Sequence, residues 1–150
     1  MTKTQVALQY LNENCRISRA TDGSIGFDMR ANITAPITIQ PNERVLIPLG
    51  IKSDLGDPNL GLFLFGRSGL ALNHGIQLLN SVGVIDSDFR GEIGAILYNT
   101  GATGEAFTIE PYDRVAQCIF IRAEEVELID KDKLTSTERG EGGYNSTGLK

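Results

Sequence analysis

The sequence predicts an all-β fold, and three observations carry that prediction. Its apolar residues fall in short, interrupted runs rather than long helical stripes. Glycine supplies 17 of the 150 residues, about 11% against a usual ~7%, which marks many turns. Only Ser68-Gly-Leu-Ala-Leu-Asn-His-Gly75 has the makings of a helix, and a short one. The runs, in order, are Val6–Tyr10, Ile37–Ile39, Val45–Ile51, Leu60–Phe65, Ile93–Leu97, Val115–Ile121 and Val126–Ile129. Each is rich in Ile, Val, Leu or Phe and bounded by Gly, Pro, Asn or Asp, as strands are. Pro36 and Pro41 flank Ile37–Ile39 and mark an edge strand, and Pro48 puts its own segment near an edge or a bulge. Many short strands with almost no helix imply a sandwich, a jelly roll or a barrel.

A chain of 150 residues and 16.3 kDa suits one domain with a sizeable core. Hydrophobic content of 41% and charged content of 22% exclude wholesale disorder. No apolar stretch approaches the ~20 residues that span a bilayer, so no membrane partner is expected. The start, MTKTQVALQY, lacks the apolar segment of a secretory leader. Two cysteines, Cys15 and Cys118, are too few for a disulfide framework and fit the cytoplasm or another reducing compartment. A net charge of −5 excludes coating of nucleic acid through many phosphate contacts. The lone His74 excludes a multi-histidine metal site. Nine of the 14 cations are nevertheless arginine, whose planar fork matches phosphate and carboxylate oxygens.

Composition shifts only near the end. Glu124, Glu125, Glu127, Asp130 and Asp132 form an acidic exit, followed by Arg139-Gly-Glu-Gly-Gly-Tyr-Asn-Ser-Thr-Gly-Leu-Lys150. Four glycines in twelve residues cannot supply a core. The expected division is a β domain over residues 1–138 and a flexible C-terminal arm over 139–150.

Three constellations could carry chemistry. In Gly83-Val-Ile-Asp-Ser-Asp-Phe-Arg-Gly-Glu92, Asp86 directly follows an apolar run and could serve as a base; the plainer reading is a solvated hairpin. A calcium loop is excluded, because its fifth position is Arg90 and its twelfth Leu97. Gly66-Arg-Ser-Gly-Leu-Ala71 follows a strand and opens the short helix. Either it cradles an anion with Arg67 and the Ser68 hydroxyl, or Ser68 simply caps the helix. The glycine-rich end matches neither common phosphate-loop pattern, and a disordered tail is its plain alternative.

Their order is more specific than any single piece. Ile25-Gly-Phe-Asp-Met-Arg-Ala31, Gly66–Ala71, Asn80–Glu92, Asp113-Arg-Val-Ala-Gln117 and Arg139–Gly148 resemble the five ordered motifs of the trimeric dUTPases, across nearly the whole chain. The resemblance implies a jelly-roll-like subunit assembled as a homotrimer, with active sites shared among subunits and closed by the arm. It implies hydrolysis of dUTP to dUMP and pyrophosphate, limiting uracil in DNA and supplying dUMP, with Mg2+ held mainly by the substrate triphosphate. Asp86 matches the water-activating carboxylate. Asn80 and the backbone of Gly83 and Val84 match the uracil-reading hairpin, and Phe89 the aromatic that packs on deoxyribose. Arg67, Ser68, Gly69 and Gln117 match phosphate-binding positions, and Asp28 the carboxylate that meets the metal's waters. Arg139, Tyr144, Ser146 and Thr147 match the closing arm.

Three positions depart from the family pattern: Phe89 stands where Tyr is usual, Tyr144-Asn145 where Phe-Gly is usual, and Tyr112 where Gly is usual, so the turn at Tyr112 is expected to differ. A deaminase acting on dCTP shares the fold family but needs its own deamination residues. A catalytically dead jelly roll would have no use for Asp86 beside an intact tail.

Overall fold

Short strands bury one face each, and the alternation of their side chains sorts this molecule into layers. The computed structural model describes residues 3–143. Its strands are β1 (Ala7–Tyr10), β2 (Phe27–Arg30), β3 (Ile37–Ile39), β4 (Arg44–Pro48), β5 (Ile51–Asp54) and β6 (Leu60–Phe65). After α1 (Ser68–His74), the one α-helix among the described residues, come β7 (Ile76–Leu78), β8 (Val82–Ile85), β9 (Gly94–Asn99), β10 (Phe107–Ile109) and β11 (Arg114–Arg122). All named pairings are antiparallel. A four-stranded sheet runs β2-β11-β6-β8 and a three-stranded sheet β4-β9-β7, while β1 pairs with β5 and β3 with β10.

These layers share one core. Met29, Leu62, Leu64 and Cys118 from the four-stranded sheet meet Ile47, Ile76, Leu78, Ala95 and Leu97 from the three-stranded one, with Ile39, Ile51 and Ile109 from the flanking pairs. A buried Leu or Ile side chain contributes about 1.5–3 kcal/mol relative to exposure, so this cluster is the main source of stability. Among the described residues, no helix is long and apolar enough to cross a membrane.

The all-β expectation holds, and the helix falls where it was expected. Gly75 ends it in the left-handed conformation, with φ 66° and its N–H donating to the Ala71 and Leu70 carbonyls. The prolines behave as read: β3 pairs only with β10, and β4 lies at a sheet edge. Val45–Ile51 is not one strand, however. Pro48 ends β4, and Gly50, at φ 69°, turns the chain into β5.

Val126–Ile129 is not a strand at all. Val126 is 70% exposed, Leu128 91% and Ile129 65%. An apolar run becomes a strand only when another edge accepts its hydrogen bonds. No described residue of this chain offers it one. Four strands, β2, β7, β8 and β10, lie outside the apolar runs expected to be strands; in the sequence Val82–Ile85 stands only as the apolar approach to Asp86. β2, β7 and β10 are three or four residues long with polar residues interleaved, so their tertiary neighbours define them.

Candidate active site

The four-stranded sheet carries residues of the first, third and fourth sequence motifs, and the second follows directly from β6. Asp28 of β2 pairs with Gln117 of β11, Gln117 with Phe65 of β6, and Phe65 with Val82 of β8, forming one rung across all four strands. Side chains two residues along share a face, so Phe63, Val84 and Ile119 continue the outer face while Gly83 turns inward. Gly83 is buried, and a Cβ there would lie 3.1 Å from that of Leu64. Glycine lets β8 pack this closely on Leu64 of β6.

A cationic cluster sits at one end of that face. The Asp28 carboxylate, 16% exposed, accepts from Arg114 Nη1 at 3.0 Å and pairs with Arg67 Nε at 3.4 Å. Arg67 Nη1 also donates to the Arg114 carbonyl at 2.8 Å. Gln117 Nε2 donates to the Gly66 carbonyl at 2.9 Å, fixing the start of the Arg67 loop. Gly26 leaves room for that amide, since a Cβ there would come within 2.8 Å of Gln117 Oε1. A cleft of about 220 Å³ opens beside Arg67, Arg114, Leu70 and Phe107. Arg67, Gln117 and Asp28 are thus brought together, with Ser68 and Gly69 opening α1 beside them.

Of the two readings for Ser68, the capping one fails. Arg67 occupies the N-cap position, and no side-chain hydrogen bond caps the helix. Tyr112 takes φ 66°, the left-handed region favoured by glycine. Tyr112 thus holds a backbone conformation that glycine enters without strain. Tyr112 N–H donates to the Ala31 carbonyl at 2.8 Å, its carbonyl accepts from Arg30 Nη1 at 3.1 Å, and its hydroxyl accepts from Asn12 Nδ2 at 3.2 Å. These bonds offset a left-handed strain of about 1–2 kcal/mol.

The turn at Asn80 lies at the same end of the sheet as Arg67, because Val82 pairs with Phe65, whereas Asp86 does not. Asn80 is exposed in a tight turn, where Ser81 takes φ 62° and Val82 N–H donates to the Asn80 carbonyl at 2.6 Å. Ile85 pairs with Leu62, which sets exposed Asp86 beyond the end of β8 that is remote from Arg67. Four residues from Val82 to Asp86 span ~13 Å at ~3.3 Å per residue. Phe89, 42% exposed, lies against Gly91 and closes a turn on the Asp86 carbonyl at 3.2 Å. The fold of this chain therefore does not bring Asp86 to the Asp28–Arg67–Gln117 cluster.

Arg139 folds back on its own segment, its Nε donating to the Gly142 carbonyl at 2.9 Å. Tyr144, Asn145, Ser146 and Thr147 lie outside the described residues. Arg114 was missed as a site residue, although it stands in the fourth motif. Its partner is 86 residues away, so only the β2–β11 pairing reveals its role.

Comparison with known proteins decides the kinship. A family model described as dUTPase matches residues 13–148. The chain belongs to the dUTPase family. A deoxyuridine 5'-triphosphate nucleotidohydrolase of Hahella chejuensis is 46% identical over 131 residues, 87% of this chain and 85% of that protein. One of Burkholderia cenocepacia is 43% identical over 129 residues, 86% of each. Among solved structures, a mutant dUTPase of Staphylococcus bacteriophage 80alpha with dUpNHpp superposes at a TM-score of 0.86, covering 98% of this chain and all of that one. Its sequence identity of 18% makes that a likeness of fold. The all-β, jelly-roll-like dUTPase fold is thus the architecture of this chain.

Proposed function

We propose that this dUTPase-family chain hydrolyses dUTP to dUMP and pyrophosphate, by water attack on the α-phosphorus, in sites shared by three copies. The observation that carries the reading is the split outer face, with Arg67, Ser68 and Gln117 at one end and Asp86 beyond the other. A phosphate-binding end and a base so far apart complete a site only when a second copy brings its complementary end. Apolar exposure supports assembly. Leu46, 64% exposed, stands opposite Ile96 across β4 and β9, and Val84 is 60% exposed on β8. Val126, Leu128, Ile129 and Leu134 add unpartnered apolar side chains beyond β11.

In the assembled site, Arg67, Ser68, Gly69 and Gln117 bind phosphate oxygens and offset their charge. Asp86 accepts the proton of the attacking water. The hairpin at Asn80, Gly83 and Val84 reads the uracil edge through backbone groups, and Phe89 packs on the deoxyribose. A buried, unpaired 2′-hydroxyl costs ~1–3 kcal/mol, which disfavours UTP. Among the described residues no three Asp, Glu, His or Cys side chains could hold a metal unaided. A single carboxylate such as Asp28 fits Mg2+, which keeps several waters and binds largely through substrate phosphates. Bound Mg2+ would neutralise triphosphate charge, and Asp28 is the carboxylate that would face it through water.

Residues 139–150 act as the arm that closes over bound nucleotide, with Arg139, Ser146 and Thr147 on the phosphates and Tyr144 over the base. The two free thiols, Cys15 and Cys118, are both buried, in keeping with a reducing compartment.

Pyrophosphate release measured with dUTP, dCTP, dTTP and UTP, alongside light scattering, tests the proposal. The expected result is strong preference for dUTP and a mass near three subunits. A stable, fully active monomer near 16 kDa would refute the shared site, and hydrolysis of all four nucleotides alike would refute the specificity.

A further inference from the structure

The loop that carries Asp86 and Phe89 has no regular structure between the end of β8 at Ile85 and the start of β9 at Gly94. One guanidinium bridges it to the neighbouring sheet layer. Arg90 Nη1 donates to the Ser87 carbonyl at 2.8 Å and reaches the carbonyls of Phe89 and of Ser53 on β5, both at 3.3 Å. Its Nη2 pairs with Asp54 Oδ1 at 2.8 Å. Glu92 anchors the other side of the loop, its Oε1 accepting from Gly50 N–H at 2.9 Å and from Asn32 Nδ2 at 3.0 Å.

We propose that Arg90 is a positioning residue: its fork ties the Asp86–Phe89 turn to β5 and so fixes both the base and the sugar-packing ring. The inference rests on the dUTP reading above. An exposed ion pair contributes little by itself. What distinguishes Arg90 is that its other contacts are backbone carbonyls, two of them within the loop and one on β5. A single planar head therefore stitches the turn and anchors it at once. A lysine keeps the charge but cannot span the separate Nη1 and Nη2 contacts. Shifting a catalytic group by about 1 Å can cost ~10²-fold in rate. The same shift moves the Phe89 ring, so it also weakens rejection of the 2′-hydroxyl.

The test compares the full-length parent with Arg90→Lys and Arg90→Met, using Arg16→Met as a surface control that removes an exposed pair with Glu13. We expect both Arg90 variants to stay folded and assembled, with a melting temperature close to the parent's. We expect kcat on dUTP to fall ~10- to 100-fold, the preference for dUTP over UTP to fall ~10-fold, and the control to be unchanged. Added guanidinium ion should restore part of the rate of Arg90→Met. An active parent whose Arg90→Lys variant keeps kcat and nucleotide preference within twofold overturns the positioning role alone. So does a loss of rate that tracks unfolding in both variants without guanidinium rescue. A parent inactive on dUTP overturns the underlying reading instead.

Discussion

Arg114 Nη1 donates to the Asp28 carboxylate at 3.0 Å, joining two residues 86 positions apart in the chain. The contact exists because β2 and β11 are neighbours, and because the bulge between Arg114 and Ala116 shifts their register. It holds Asp28 beside Arg67 and concentrates two cations at the proposed phosphate end.

This pair should be energetically coupled. Asp28→Asn and Arg114→Gln are each expected to lower stability modestly, since the Arg114 head is half exposed. The double variant should lose less than the sum by ~0.5–1 kcal/mol. A urea-denaturation cycle measures this, and strict additivity would show that the contact is incidental. Asp28→Asn should also raise the Mg2+ concentration needed for half-maximal turnover.

Asp86→Asn should bind nucleotide like the parent but turn over ~10²–10⁴ times more slowly, the usual loss of a general base. Isothermal titration with a non-hydrolysable analogue and steady-state kinetics separate the two effects. Turnover within a few-fold of the parent would remove Asp86 from its role.

Deleting Arg139–Lys150 should leave the fold intact, because the named strands end at Arg122 and residues 124–143 are exposed. Catalysis should collapse, since the arm is proposed to exclude water and supply Arg139, Tyr144, Ser146 and Thr147. Ordering backbone costs ~1–2 kcal/mol per residue, so the arm should order only on bound triphosphate. Limited proteolysis near Arg139, with and without analogue, reads this directly. Equal cleavage in both states and full activity of the truncated chain would refute the arm.

Alkaline stability should depend on Cys118. Burial pushes its thiol from 9.0 up to about 12, and Cys15 is raised in the same direction. Below about pH 9 both folded and unfolded thiols are protonated and stability is unaffected. Above that, the unfolded chain releases a proton that the folded chain keeps, so stability falls as pH rises toward 12. The slope from Cys118 is at most ~1.4 kcal/mol per pH unit. Cys118→Ala should flatten it, at the cost of a small cavity near neutral pH. Denaturation midpoints from about pH 8 to 10 with identical slopes in both proteins would contradict this.

The sequence by itself determined the fold class, the helix and the ordered motifs, because these rest on local signals: short apolar runs, prolines at strand ends, and residue types at fixed spacing. It named Asp28, Arg67, Gln117 and Asp86, but not which of them meet. Tertiary pairing decided that Asp28, Gln117 and Arg67 cluster while Asp86 stands beyond the other end of the same face. Pairing also revealed Arg114 and Arg90, whose partners are distant in the chain or are backbone carbonyls without a residue signature. It left Val126–Ile129 outside any sheet for the same reason. Apolar alternation makes a strand possible, but only a neighbouring edge, supplied by the fold, satisfies its backbone hydrogen bonds.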